Sequence, residues 1–529
     1  MKKLKIYILT VGLFGLGACN DSFLNTTPAT KVTEDNFYRT PADGFTALVG
    51  CYDGMQQVTY TPIFNDVLSD DAFGGTGKSD AHDYMMIDEF DKSKAPTIQN
   101  FYLDNWTKYY AGVYRCNVLL QKLDQIDWGT TPDLKTTYEA ETRFIRAYLY
   151  FDMVRTWGNI PLLTEPSTDN LPQADPADVF KVIAEDLKFA SENLASVTYT
   201  AQPVSTHGRV TKWAAESLLA RVYLFYTGYY NQSDLVGVVT KSDVLTKLED
   251  VIANSGHALV DTFANLWPAA SIARYAGEDN KETVFAIKYT YTSDYNGNHD
   301  SFEGMYMIGM RGLNNYPYGK GWGAATVNPR LWNAYDDKDT RKVASIISIV
   351  DENLNMSASG GIDDSREYTG YYIKKYSPMC DKNGKSLAEL AGGLQAQLDQ
   401  YQDYVAIRYA DVLLMAAELG SANAQNYFDQ VRQRAFKTNF TSLPVSQSNI
   451  MAERRLEFAG EGIRFWDLLR QGVSVASAAI AESTTLLDGG TPAQKTILAA
   501  NVELTKGLQQ IPLNQITLSG GKLVQNTGW

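Results

Sequence analysis

Cysteine and histidine are scarce in this 529-residue chain, with four of each. His82, His207, His257 and His299 are scattered, so no helix carries the two or three histidines of a metal site. There is no CxxC pair, no HExxH helix, no GxSxG elbow and no Cys–His pairing at a recognisable spacing. Cys51, Cys116 and Cys380 lie far apart and are odd in number. That excludes a disulfide framework and reads as buried free thiols. Basic residues are in deficit, 47 Lys and Arg against 61 Asp and Glu. Nucleic acid, which needs basic patches for phosphate, is excluded as a partner, and so is charge-driven binding to anionic lipid.

The N-terminus supplies the most specific signal. Lys2, Lys3 and Lys5 precede an apolar run from Ile6 to Leu16, then Leu16-Gly17-Ala18-Cys19. A basic start, a short apolar stretch and small residues before a cut site make a secretory leader. The stretch falls short of the about 20 apolar residues that span a bilayer. Its ending resembles the lipobox of bacterial lipoproteins, which implies cleavage after residue 18 and lipidation of Cys19. An ordinary leader with an incidental cysteine is the alternative. Loss of residues 1–18 removes three Lys and no acid, moving the net charge from −14 to −17.

Residues 19–36 read as a tether, and 37–529 as a single domain. A first helix is expected over Ala42–Gln57. Helical spacing dominates from Ile98 to about Tyr226, with Phe144, Ala147, Tyr148, Phe151 and Val154 on one face and Ala214, Leu218, Val222 and Phe225 on another. The related strings ending at Phe151 and Phe225 suggest stacked helical hairpins of tetratricopeptide type. Helices return at 404–420, 424–436 and 446–471. The fold class is mainly α: a helical hairpin platform, 98–260 and 404–471, with a loop-rich ligand-binding insertion, 58–97 and 265–400. Glu282–Tyr291 alternates as a strand does.

Several strings together resemble the SusD/RagB family of surface lipoproteins from Bacteroidetes. They are Glu141-Thr142-Arg143-Phe144-Ile145-Arg146 running to Trp157-Gly158-Asn159; Gly208-Arg209 continuing to Leu219-Ala220-Arg221; Ile407-Arg408-Tyr409-Ala410-Asp411; and Glu453-Arg454-Arg455 through Gly462 to Arg464-Phe465-Trp466-Asp467. The resemblance implies capture of nutrients, usually oligosaccharides, on the outer face of the outer membrane. It also implies delivery to a SusC-like TonB-dependent barrel, as in starch and polysaccharide utilization. Some relatives bind peptides instead.

The charged residues of these strings look catalytic: Arg143, Arg146, Asp411, Glu453, Arg454, Glu457, Arg464 and Asp467. They interleave with apolar residues on predicted helices, so ion pairs between helices are the expected role. Ala72–Ser79 fits a permissive P-loop pattern, but no buried strand precedes it and Asp80 and Asp83 follow, so a flexible loop near the ligand is expected. Asp294, Asn296, Asn298 and Asp300 alternate oxygens as a calcium loop does. Met305 stands where an EF-hand needs Glu, so calcium remains only a candidate and no other cofactor is expected.

Aromatics are abundant: 33 Tyr, 21 Phe and 9 Trp. A sugar site that binds without cutting needs flat rings for C–H faces and amides or charges for hydroxyls. The loops 64–90 and 289–332 supply these groups. The candidates are Asp71, Phe73 and Tyr84 in the first, and Tyr291, Tyr295, Asn296, Tyr316, Tyr318 and Trp322 in the second. By order along the chain, Phe73, Tyr295 and Trp322 correspond to the aromatic cradle of carbohydrate-binding relatives. Gly321 and Gly323 flank Trp322 and favour an exposed ring. The expectation is a glycan-binding, non-catalytic lipoprotein; a peptide binder and a lipid-anchored glycosidase are the alternatives.

Overall fold

The computed structural model describes residues 37–529, apart from 58–59, 82, 295–297, 313 and 357–359. Cys19, the leader and the tether lie outside the described residues. Among the described residues, no helix is long and apolar enough to cross a membrane.

The protein is mainly helical. Helix α1 (Pro41–Gln56) starts at a capping box: the Thr40 hydroxyl accepts from the Asp43 N–H while the Asp43 carboxylate accepts from the Thr40 N–H. Pro41 supplies the first helical φ without losing a needed donor. A short α2 (Thr61–Val67) and strand β1 (Ala72–Gly75) follow. Then come α3 (Leu103–Lys122), α4 (Asp133–Trp157), α5 (Pro176–Asn193), α6 (Lys212–Tyr229) and α7 (Lys241–Asn254). Each of α3 to α7 packs on the next, and α1 lies on α3 and α4. Helix α4 is buried on nearly every side from Ala140 to Trp157, because neighbours flank it all round.

Strands β2 (Thr283–Ile287), β3 (Ala324–Val327) and β4 (Tyr404–Arg408) lie in the loop-rich part and at its exit. Helices α8 (Tyr409–Glu418), α9 (Ala424–Phe436), α10 (Gln447–Glu457) and α11 (Arg464–Leu469) complete the helical body, and α8 packs on α7 across the intervening segment. Two antiparallel pairings fix that segment. Strand β2 pairs with β4, from Thr283↔Arg408 to Ile287↔Tyr404, and closes its neck. Strand β1 pairs with β3, from Ala72↔Val327 to Gly75↔Ala324, and ties the first loop region to the second.

Three expectations change. Residues 72–75 are a buried strand rather than a flexible loop. The helix expected from 404 begins at Tyr409, because 404–408 are spent on pairing with β2. The helix expected over 446–471 is two, α10 and α11, separated where Gly460 and Gly462 adopt positive φ of 74° and 71°. A hairpin, β5 (Glu482–Asp488) with β6 (Thr491–Ile497), closes on Gly489-Gly490, both at positive φ as a two-residue turn requires. Its Lys495 is buried against Asp88, Glu89 and Glu367 at 2.8, 2.9 and 2.6 Å.

Candidate functional site

The motif charges form a frame. Glu457 on α10 meets Arg408 at 2.8 Å and Arg341 at 3.0 Å, and also pairs with Arg434. Arg408 reaches Glu282 at 2.7 Å and Glu461 at 2.8 Å. Glu453 holds Arg341 and Arg432, each at 2.6 Å. Asp411 pairs with Arg221 and Arg454, and Arg454 also reaches Asp467 at 2.7 Å. In the N-terminal half, Asp186 takes Arg146 at 2.8 Å and Arg143 at 3.2 Å. Arg464 binds Asp70 at 2.7 Å. Burial alone would raise the Glu457 carboxyl, but the guanidiniums of Arg434, Arg408 and Arg341 hold it well below the usual range. The expected ion pairs between helices form at Asp411, Arg454, Asp467 and Asp186, whereas Glu457 also reaches a strand through Arg408 and Arg464 reaches Asp70 outside any helix.

The two loop regions meet at a different kind of place. A cleft of about 490 Å³ opens between them. One wall is aromatic: the ring of Phe64 of α2 lies tilted against Phe101 at 5.2 Å and Tyr84 at 5.9 Å between ring centroids, with Tyr60 beside it at 6.1 Å. The facing wall is Trp322 and Met307. Asp83, Gln99, Asn100, Asp104 and Asn105 add carboxylates and amides. Lys108 neutralises Asp104 at 2.8 Å and lies over the Tyr60 ring at 5.9 Å. Burial, reinforced by the Glu303 carboxylate that accepts its hydrogen bond, raises the Tyr60 phenol. Burial, then Asp83 and Asp80, raises that of Tyr84. Both phenols therefore stay protonated, that of Tyr60 with its hydrogen given to Glu303 and that of Tyr84 able to donate.

Trp322 is held by backbone. Its N–H donates to the Tyr306 carbonyl at 2.9 Å, and the Gly323 N–H donates to that of Gly309 at 2.8 Å. A Cβ on Gly321 would lie 2.1 Å from the Tyr306 oxygen, so that glycine lets two chains touch rather than clearing space around the ring. Tyr306 meets the indole edge-on at 6.1 Å. The ring is thus braced on one side and open to the cleft on the other.

Comparison with known proteins gives the family and the fold. The SusD family model matches residues 281–529, and a model described as starch-binding, associating with outer membrane, matches residues 23–224. The chain belongs to the SusD-like family. It is 25% identical over 510 residues to SusD-like protein P25 of Formosa agariphila, covering 89% of this chain and 90% of that protein. A laminarin-binding SusD-like protein superposes with a TM-score of 0.74 at 27% identity, over 93% of this chain and 100% of the other. Surface glycan-binding protein A from Bacteroides fluxus shares the fold, with a TM-score of 0.75 at 24% identity, over 93% of this chain and 100% of that one.

In this SusD-like chain the residues singled out from sequence part company. Tyr84 and Trp322 come together across the cleft. Asp71 does not join them: it is 3% exposed and bound to Arg455 at 2.7 Å. Phe73 is 1% exposed, because β1 turns its side chain into the core beneath β3. Tyr291 and Tyr316 are 37% and 48% exposed but lie away from the cleft lining, Tyr291 against Tyr401 and Tyr316 beside Lys382. Tyr318 is buried and donates to Glu352. Tyr295 and Asn296, one of the three residues of the aromatic correspondence and one of the four calcium-loop oxygens, lie outside the described residues. Among the described residues no group of three acidic, His or Cys side chains could hold a metal. In that loop, Asp294 accepts from the Asn298 N–H at 3.2 Å and Asp300 from the Thr292 hydroxyl at 3.0 Å. Tyr60 and Phe101 are new members of the site. Each stands just before a helix, where an aromatic reads as core in sequence.

Proposed function

We propose that this chain captures a neutral oligosaccharide in the cleft between Trp322 and the Tyr84–Phe101 wall and releases it uncut. The supporting observation is the juxtaposition itself: a braced, half-open indole facing a tyrosine–phenylalanine wall, with amides and carboxylates between them. Sugar rings offer apolar C–H faces to the rings and hydroxyls to the amides. The volume lies within the usual range for ligand sites, roughly 300–1,000 Å³. The excess of acidic over basic residues in the chain disfavours uronic or sulfated sugars. A laminarin-binding relative supports a glucan as ligand. The chain then passes its ligand to a SusC-like TonB-dependent barrel, standing on the extracellular face of the outer membrane by lipid on Cys19.

Calorimetry of residues 20–529 against neutral glucan oligomers, charged glycans and peptides tests this. The expected result is saturable binding of a neutral oligomer, recovered intact by chromatography. New reducing ends would make the protein a glycosidase. Binding confined to peptides would overturn the sugar reading.

A further inference from the structure

The sequence reads Cys51, Cys116 and Cys380 as buried free thiols, and all three are buried and unbonded here, yet the packing brings two of them onto facing helices. Helices α1 and α3 cross where glycine faces glycine. A Cβ on Gly54 would lie 2.7 Å from the Gly112 Cα, and a Cβ on Gly112 would lie 3.2 Å from the Gly54 oxygen. No side chain separates the two backbones there. Arg115 donates to the Gly50 carbonyl at 2.9 Å and pairs with Asp53. As positions on α1 step back from 54 to 50, their partners on α3 step forward from 112 to 115, so the helices run antiparallel. The same register places Cys51 opposite Cys116, one turn from the glycine crossing. Both side chains are wholly buried, and after burial itself the Cys51 thiol is the largest influence on Cys116. A disulfide needs Cα atoms within about 7 Å and facing Cβ vectors, a separation that helices in backbone contact one turn away allow. The remaining thiol, Cys380, lies elsewhere, its sulfur 3.2 Å from the Tyr318 carbonyl.

We propose that Cys51 and Cys116 form a disulfide that joins α1 to α3, closed by a disulfide-class oxidant as the chain folds in an oxidising compartment. One cysteine thiolate attacks the oxidant's S–S bond, releasing one oxidant thiol and leaving a mixed disulfide. The second cysteine, losing its proton, attacks the protein sulfur of that bond. The Cys51–Cys116 bond forms and the other oxidant thiol leaves. Two protons and two electrons pass from the protein to the oxidant. Closure precedes final packing, because burial and then the neighbouring Cys51 raise the Cys116 thiol in the folded protein and no oxidant reaches it there. The same burial shields the closed bond from reductants. The loop so closed carries Tyr60, Tyr84 and Phe101, so the bond also anchors one wall of the cleft at both ends.

The test is peptide mapping of the full chain from an exporting host, beside the same chain folded in a reducing cytosol. Each sample is denatured with an alkylating reagent before digestion. The proposal predicts a peptide linking residues 51 and 116 in the exported protein, two hydrogens lighter than the pair and separated by reductant, with Cys380 alkylated. The cytosolic protein should carry alkyl groups on all three. In exported Cys51→Ser the link should vanish and Cys116 should become alkylated. Complete alkylation of Cys51 and Cys116 in the exported protein would overturn the proposal, as would a link from either one to Cys380.

Discussion

The lattice around Glu457 and the cleft around Trp322 use overlapping residue types to opposite ends. In the lattice, Arg341, Arg408 and Arg434 are buried and each is bound to carboxylates from distant parts of the chain. No charge is left over to act on a ligand, and the product of the arrangement is one fixed packing of α8, α9 and α10. In the cleft, rings and amides are braced from behind and open in front. The tryptophans show the same division. Trp213 is buried on α6 with its indole N–H given to the Val197 carbonyl at 2.7 Å, whereas Trp322 keeps a face for something else. The residues most legible as a motif therefore mark the frame, and the site lies in the less regular sequence that the frame supports.

The sharpest way to break the comparison is to remove one charge from the lattice. Glu457→Gln leaves three buried guanidiniums without their shared carboxylate and should cost about 3–5 kcal/mol in denaturant unfolding. A loss near zero would show the lattice to be replaceable. The tryptophans come next. Trp213→Ala should cost about 3–5 kcal/mol of stability. Trp322→Ala should barely move the unfolding midpoint but weaken oligosaccharide binding by about 2 kcal/mol, roughly 30-fold in Kd.

A pH titration sharpens the comparison at the hairpin, where charge is buried but not balanced. Burial first, then Glu367 and Glu89, push Asp88 up to about 8 against the opposing Lys495. Its folded value is raised, so the stability it contributes is complete below its ordinary 3.8 and is lost as pH rises toward about 8. Asp88→Asn should flatten the unfolding midpoint across that window. The smallest effect belongs to Tyr291→Ala and Tyr316→Ala, which lie outside the cleft lining and should leave affinity within about twofold.

The helices were legible because their signal is local. Phe144, Phe151, Leu218 and Phe225 recur at helical spacing, and α4 and α6 form where that spacing lies. The SusD-like strings carried the fold class further than periodicity could. The pairing of β1 with β3 was not legible: Ala72-Phe73-Gly74-Gly75 has no alternation, and its partner lies far along the chain. That hidden pairing also decided the site. It buried Phe73, while Arg455 claimed Asp71. Tyr84 and Trp322 could be found as loop aromatics, but their meeting depends on β1 and β3. Cys51 and Cys116 carry the same lesson, since their register is set by two glycines that sequence reading passed over.

The most direct test of the central claim is a diffraction structure of the protein with the tightest-binding oligosaccharide. The account predicts a sugar ring lying flat on the Trp322 indole within about 4 Å, facing Tyr84 and Phe101. A sugar bound elsewhere with this cleft empty would contradict it.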